Sequence, residues 1–120
     1  MRKLDFVSLQ VRDLDASTNF YINKLGFEAS DASNPAACIF KYNQGEASFA
    51  IRKPLADLEG KELGVGVSLW FAIDGTIEDL QASLLEKNVE LSGPILTTPF
   101  GKAITAKDPD GYSITFLQPN

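Results

Sequence analysis

The order of predicted strands and helices repeats itself along the 120-residue chain with a period of about 60 residues. In the first half, residues 4–11 alternate between apolar and polar side chains, which predicts a strand with one buried face. Asp13 then precedes a predicted helix at residues 15–25, because an acidic side chain favours the start of a helix. Gly26 is typical of a helix end.

The second half follows the same plan. It has a predicted strand at residues 65–73, then Asp74, then a predicted helix at residues 76–87 with apolar residues at helical spacing. Three short strands are predicted after each helix, at residues 27–29, 37–42, 47–52, 89–91, 101–106 and 112–118. A hairpin turn is predicted at Asn43–Glu46 and a tight turn at Asp108–Gly111.

Strand, helix and three strands, occurring twice, predict an α+β fold built from two βαβββ modules. We expect one domain over residues 1–120, with module one at about 1–53, a polar linker at about 54–64, and module two at about 65–120. The alternative on pattern alone is an unrelated α+β sandwich whose internal symmetry is accidental.

The absence of histidine narrows the chemistry that the chain can perform. Catalytic zinc, nickel and iron sites generally use at least one imidazole, and serine or cysteine nucleophiles usually need a histidine base. Eleven basic and sixteen acidic residues give a net charge of −5. This balance disfavours nucleic acid as a partner, because phosphate binding needs clustered lysine and arginine.

Targeting signals are also missing from the sequence. The first residues lack the apolar segment of a signal peptide, and no apolar stretch approaches the roughly 20 residues of a membrane span. The single cysteine, Cys38, cannot form an internal disulfide, which fits a reducing compartment. We therefore expect a cytoplasmic protein with no membrane partner.

Two motifs near the ends of the chain resemble those of the vicinal-oxygen-chelate superfamily, which includes glyoxalases, bleomycin-resistance proteins and extradiol dioxygenases. The opening motif is matched by Val11-Arg12-Asp13-Leu14-Asp15-Ala16-Ser17, followed by Phe20-Tyr21 and Leu25-Gly26-Phe27. The closing motif is matched by Asp108-Pro109-Asp110-Gly111-Tyr112, followed by Ile114 and Phe116. The motif residues also have plain structural roles in helix packing and in turns.

The resemblance implies two βαβββ modules whose mixed sheets curl around a cavity. Enzymes of this superfamily typically hold a divalent metal with one His, Glu or Gln ligand from each of four strands. The antibiotic-sequestering members instead bind their ligand as homodimers. A homodimer is therefore the oligomeric state that the resemblance implies for this chain.

The four metal-ligand positions of the superfamily fall on residues that are unsuited to coordination. They correspond here to Phe6, Ala50, Ser68 and Thr115, and a different register in the third strand of module one would replace Ala50 by Ser48 or Arg52. None of these side chains is a good ligand for a borderline metal. We therefore predict no metal, no other cofactor and no catalytic residue.

Strand alternation separates the residues that face the helices from those that face the cavity. The predicted ligand-binding residues are Phe6, Ser8, Gln10, Phe40, Tyr42, Ala50, Arg52, Ser68, Trp70 and Thr115. Trp70 either offers a stacking surface to a planar ligand or fills a closed core. Arg52 either pairs with a ligand carboxylate or phosphate or is a solvated charge at the strand end.

Three functional hypotheses follow from these observations. The first is a metal-independent protein that binds an aromatic or cationic small molecule, with antibiotic sequestration as its role. The second is a lyase, isomerase or dioxygenase of the same fold with an atypical metal site or none. The third is a structural domain whose cavity is filled by its own side chains.

Overall fold

In the computed structural model, which describes residues 1–41 and 48–120, each half of the chain forms a small mixed sheet with a helix. The α+β fold class predicted from the sequence is confirmed. The chain divides into two units, Met1–Lys61 and Glu62–Asn120, which we call module one and module two. Residues 54–61 of the predicted linker thus belong to module one. The predicted hairpin turn at Asn43–Glu46 lies outside the described residues.

Module one has a three-stranded sheet in the order β1-β3-β2, with β1 and β3 parallel and β2 antiparallel to β3. Its elements are β1 (Phe6–Gln10), α1 (Leu14–Asn19), a π-helical segment (Phe20–Lys24), β2 (Ala37–Ile39) and β3 (Ser48–Arg52). The wider π turn ends where the Leu25 amide donates to the Phe20 carbonyl at 3.1 Å.

Module two has a four-stranded sheet in the order β4-β7-β6-β5, with β4 and β7 parallel and the other pairs antiparallel. Its elements are β4 (Ser68–Ala72), α2 (Ile77–Glu86), β5 (Leu96–Thr98), β6 (Gly101–Lys107) and β7 (Ser113–Pro119). No helix among the described residues is long and apolar enough to cross a bilayer.

The two modules repeat each other down to single backbone hydrogen bonds. The Lys41 amide donates to the Glu28 carbonyl at 2.8 Å, and the Lys107 amide donates to the Glu90 carbonyl at 2.9 Å. Lys41 and Lys107, like Glu28 and Glu90, therefore occupy related positions in the two modules.

The strand registers repeat in the same way. Ser8 pairs with Ala50 in module one, and Trp70 pairs with Thr115 at the corresponding place in module two. On the next strand, Ala50 pairs with Ile39 and Thr115 with Thr105. A position in one module can thus be compared directly with its repeat-related position in the other.

The two helices begin with different capping residues. Asp13 caps α1 as predicted, and its Oδ1 accepts a hydrogen bond from the Ala16 amide at 3.0 Å. The cap of α2 is Thr76, whose Oγ1 accepts from the Asp79 amide at 3.2 Å, and not the preceding acidic residue Asp74. The hydroxyl of Thr76 thus accepts the capping hydrogen bond of α2, as the carboxylate of Asp13 does for α1.

Strand prediction failed mainly between residues 88 and 100. The predicted strand at 89–91 is reduced to a single pairing of Leu91 with Ala106, while an unpredicted strand, β5, forms at Leu96–Thr98. Pro94 and Pro99 flank β5, and proline is tolerated there because β5 is the edge strand of its sheet. In module one, the predicted strand at 27–29 is likewise reduced to a pairing of Ala29 with Phe40.

The closing turn is held by a buried carboxylate. Asp108 is 5 % exposed, and its Oδ1 accepts hydrogen bonds from the amides of Asp110 and Tyr112, both at 2.9 Å. These bonds fix the chain reversal that precedes β7. The motif residue Asp108 therefore has a structural role here.

Candidate functional site

Each sheet has a face covered by its helix and a face turned away from it, which we call the open face. In module two, Ile104, Ala106 and Ile114 are at most 2 % exposed on the helix side. Because side chains alternate along a strand, Thr105 and Thr115 belong to the open face. The strand register places Trp70, Thr115 and Thr105 in one row across that face.

A cavity of about 250 Å³ lies on the open face of module two. Its walls include Trp70, Pro94, Leu96, Ala103, Thr105 and Thr115. Drug-sized ligand sites usually measure about 300–1,000 Å³, so this cavity suits a ligand of few rings. The Trp70 side chain is 50 % exposed, so an aromatic surface remains available beside the cavity.

The polar atoms around Trp70 on this face include hydroxyls and the indole N–H. Trp70 Nε1 donates to Ser68 Oγ at 3.1 Å, which orients the indole along β4 towards Ser68. The Thr105 and Thr115 Oγ1 atoms lie 2.7 Å apart. Because one hydroxyl donates to the other, the acceptor keeps its own hydrogen available for another partner.

Module one has its own cavity, of about 390 Å³, on its open face. It brings together five of the predicted ligand-binding residues, namely Phe6, Ser8, Gln10, Ala50 and Arg52. Two of these side chains also form hydrogen bonds with the backbone of other residues. Gln10 Oε1 accepts from the Leu55 amide at 2.9 Å, and Arg52 Nε donates to the Lys53 carbonyl at 3.2 Å. Part of the hydrogen-bonding capacity of the Arg52 guanidinium is therefore used by the backbone at the end of β3.

The assignment of Phe40 to the cavity is wrong. Phe40 is 1 % exposed, and its ring lies 4.7 Å from that of Phe49 and 5.4 Å from that of Tyr21, between centroids. The pairing of Ile39 with Ala50 gives the open face to Ile39, and the next residue must then point to the other side. Tyr42 lies outside the described residues.

Several cavity residues escaped prediction from the sequence. In module one these are Ala37, Ile39 and Leu55; in module two they are Ser92, Gly93, Pro94, Leu96, Thr98, Ala103 and Thr105. Ile104 also borders the cavity, although alternation directs its side chain to the helix side. Alternation along residues 101–106 was a usable signal for Ala103 and Thr105. Leu55 and the segment around Pro94 have no periodic pattern, so only the three-dimensional fold identifies them.

The side chains at the metal-ligand positions of the superfamily do not fit a metal. Phe6 and Ala50 have no donor atom, Ser68 Oγ already accepts the Trp70 N–H, and Thr115 Oγ1 is hydrogen-bonded to Thr105. Across residues 1–41 and 48–120, no group of three or more His, Cys, Asp or Glu side chains is placed to bind a cation. We therefore derive no chemistry through a metal.

The titration shift that the structure shows among its described residues concerns Glu78 on α2, which does not line either cavity. A hydrogen bond from Lys102 Nζ to Glu78 Oε1, 2.8 Å long, lowers the pKa of the Glu78 carboxyl below its ordinary value. This hydrogen bond links α2 to β6 at the protein surface. It has no direct part in the cavity.

The chain shares its fold with proteins of one superfamily. The model of the Glyoxalase/Bleomycin resistance protein/Dioxygenase superfamily matches residues 3–116. An antibiotic binding protein from Streptomyces sp. CB03234, TnmS3, superposes with a TM-score of 0.77 at 22 % identity, covering 100 % of this chain and 98 % of that one.

Proteins described by other activities share the fold as well. A lactoylglutathione lyase from Agrobacterium tumefaciens gives a TM-score of 0.72 at 19 % identity, covering 97 % of this chain and 92 % of that one. An integron cassette protein from the mobile metagenome of V. cholerae gives 0.74 at 22 % identity, covering 98 % and 95 %. No curated protein sequence matches the chain. At these identities the likeness concerns the fold alone.

Proposed function

The chain belongs to the glyoxalase/bleomycin resistance protein/dioxygenase superfamily, and we propose that it is a metal-independent protein that binds a small aromatic molecule on module two. The observation that carries this proposal is the half-exposed indole of Trp70 beside a largely apolar cavity of about 250 Å³. An aromatic ligand stacked on the indole gains about 1 kcal/mol beyond the burial of its surface.

The hydrogen bond from Trp70 Nε1 to Ser68 Oγ supports the same proposal. A side chain whose polar edge is already anchored loses little further freedom when a ligand binds, so the ordering cost is small. The open cavity also argues against a domain filled by its own side chains. Hydroxyls such as that of Thr105 then give a ligand a few placed polar contacts.

Binding without catalysis is favoured by the composition of the cavity walls. Among the described residues that line the cavity of module two, none is a carboxylate, an imidazole or a thiol that could transfer a proton. TnmS3, with the same fold, is described as an antibiotic binding protein. We accordingly propose sequestration of an aromatic antibiotic or metabolite as the cellular role, in the cytoplasm.

The test is a thermal-shift screen of the purified protein with aromatic antibiotics and metabolites, followed by calorimetric titration. A ligand at about 100 times its Kd stabilises the native state by about 2.7 kcal/mol, so the unfolding midpoint rises measurably. We expect Trp70→Ala to reduce this rise to about half, because the affinity falls about tenfold, and Trp70→Phe to keep more of it. Unfolding of the wild type without ligand should not respond to a chelator.

Two results would contradict the proposal. Stoichiometric zinc, nickel or iron in the purified protein, together with chelator-sensitive stability, would show that the protein depends on a metal. Turnover of a bound compound that survives in Trp70→Ala would show that the indole surface is not the site of action.

We further propose that the protein is a homodimer, as the antibiotic-sequestering members of the superfamily are. Phe6 is 53 % exposed and Leu96 is 60 % exposed on the open faces, and apolar side chains of this size often mark a surface covered by a partner. Light scattering coupled to size-exclusion chromatography measures the mass directly. A mass of one chain at all concentrations would contradict this proposal.

A further inference from the structure

Lys107, at the end of β6, contributes a positive charge to the open face of module two. It follows Ala103 and Thr105, both in the cavity wall, at intervals of two residues, while the intervening Ile104 and Ala106 are buried against the helix. Alternation therefore places Lys107 on the same face as the cavity. Its Nζ donates to Ser113 Oγ at 2.8 Å.

Within the part of the chain that the structure describes, Lys107 lies close to no carboxylate, unlike two comparable lysines. Lys41, at the repeat-related position, lies 3.7 Å from Glu28 Oε2, and Lys102 on the same strand lies 2.8 Å from Glu78 Oε1. Among the described residues no ion pair involves Lys107. Lys107 is a half-buried residue one position along the open face from Thr105 of the cavity wall, and the contact that its ammonium makes is with the neutral hydroxyl of Ser113.

The indole of Trp70 is directed towards the same row of residues. Trp70 Nε1 donates to Ser68 Oγ, and Ser68 is the register partner of Ser113, which accepts from Lys107. Successive rows on one face are about 6.8 Å apart along a strand, a distance that the long lysine side chain can span. A ring stacked on the indole therefore has the ammonium group within reach of its edge.

We propose that this site selects aromatic molecules that carry an anionic oxygen, such as a carboxylate or an ionised phenol, and that Lys107 and Ser113 bind that oxygen. The inference rests on the proposed function and names the ligand class for the same cavity. Ser113 Oγ accepts from Lys107 and so keeps its own hydrogen to donate to the anion. Cationic aromatic ligands are disfavoured because the ammonium repels them.

The experiment compares two probes of nearly equal shape, 2-naphthoate and 2-naphthamide, by calorimetric titration at neutral pH and low salt. We expect the wild type to bind the carboxylate about three- to fivefold more tightly than the amide, as for a partly exposed charge pair. Lys107→Met should abolish this preference, because binding of the carboxylate should fall by more than binding of the amide. Lys107→Arg should retain the preference.

The matched control is Lys102→Met, which removes a lysine from the helix side of the same strand and should leave the preference intact. Added salt should weaken binding of the carboxylate and not of the amide. Equal affinities in the wild type, or a preference that persists in Lys107→Met, would overturn the inference while the proposed function survives. If the wild type binds neither probe and no aromatic compound of the thermal-shift screen, both the inference and the proposed function are overturned.

Discussion

The two modules share strand order and register but differ in how many aromatic rings pack in the core and in which large ring lies on the open face. In module one, Tyr21, Phe27, Phe40 and Phe49 form a cluster between sheet and helix, with ring centroids 4.7–6.0 Å apart. In module two, the corresponding core is mostly aliphatic, and the single tryptophan of the chain lies half-exposed on the open face.

This difference teaches that two copies of one scaffold can place different side chains at related positions without a change in strand register. Ser8 and Trp70 occupy related positions, and so do Phe40 and Ala106, because the pairings Ala29–Phe40 and Leu91–Ala106 correspond. A ring on the helix side is buried in the core, whereas the Trp70 ring on the open face remains half-exposed. The same register therefore supports both arrangements.

Phe40→Ala should have the largest effect, because it removes a ring from the centre of the core of module one. We expect a loss of about 3–5 kcal/mol in the free energy of unfolding, as for other buried phenylalanines. Urea denaturation followed by circular dichroism measures the change. Phe100→Ala is the matched control, since Phe100 is 68 % exposed and its removal should cost no more than about 1 kcal/mol. Equal losses for the two variants would contradict the assignment of Phe40 to the core.

Exchanging the residues at the repeat-related positions of the open faces tests the binding side of the comparison. Trp70→Ser should weaken binding of an aromatic ligand about tenfold. The double variant Trp70→Ser/Ser8→Trp should not restore the affinity of the module two cavity for that ligand. Calorimetric titration gives the affinity, and urea denaturation should show little change in stability because Trp70 is half-exposed. Unchanged affinity in Trp70→Ser would remove the functional distinction between the modules.

The smallest effect is expected from the ion pair between α2 and β6. The hydrogen bond from Lys102 lowers the pKa of Glu78, so ionised Glu78 stabilises the folded state above its ordinary pKa of about 4.3. That contribution is lost as the pH falls below this value and through the lowered pKa. Glu78→Gln should therefore be slightly less stable than the wild type at neutral pH and equal to it in acid.

Urea midpoints at the two pH values provide the measurement for Glu78→Gln. Glu28→Gln in module one is the comparison variant, because Lys41 Nζ lies 3.7 Å from its carboxylate rather than 2.8 Å, and its effect at neutral pH should be smaller still. A larger effect in Glu28→Gln would show that distance does not rank these two surface pairs.

The fold could be predicted from the sequence because its signals are local and occur twice. Alternation predicted β1 and β4, Asp13 predicted the start of α1, and the turn at Asp108 forms through hydrogen bonds within a few residues. The motifs that resemble the superfamily fixed the remaining order of elements. These features depend on near neighbours in the chain, which a sequence displays directly.

The site could be predicted only in part. Which face of the sheet a side chain occupies depends on the register of its strand, and that register is set by pairing with a strand that is distant in the sequence. Placing residue 40 rather than 39 on the open face is an error of one position, and it reversed the side of the sheet for Phe40. Pro94 and Leu96 form part of the cavity wall, but the sequence around them has no alternating pattern from which their position could be predicted. Nothing in the sequence around Lys107 distinguishes it from a solvated lysine at the end of a strand.

The parallel pairing of β4 with β7 also affects how the protein is made. Trp70 and Thr115 are neighbours across the sheet, yet a helix and two further strands separate them in the chain. Contacts between such distant residues form late and slowly in folding. During synthesis on the ribosome, a growing chain that has passed residue 107 still lacks the strand that joins β4 to β6. It follows that the cavity of module two has no complete wall in a nascent polypeptide until β7 emerges, because Thr115 on β7 forms part of that wall.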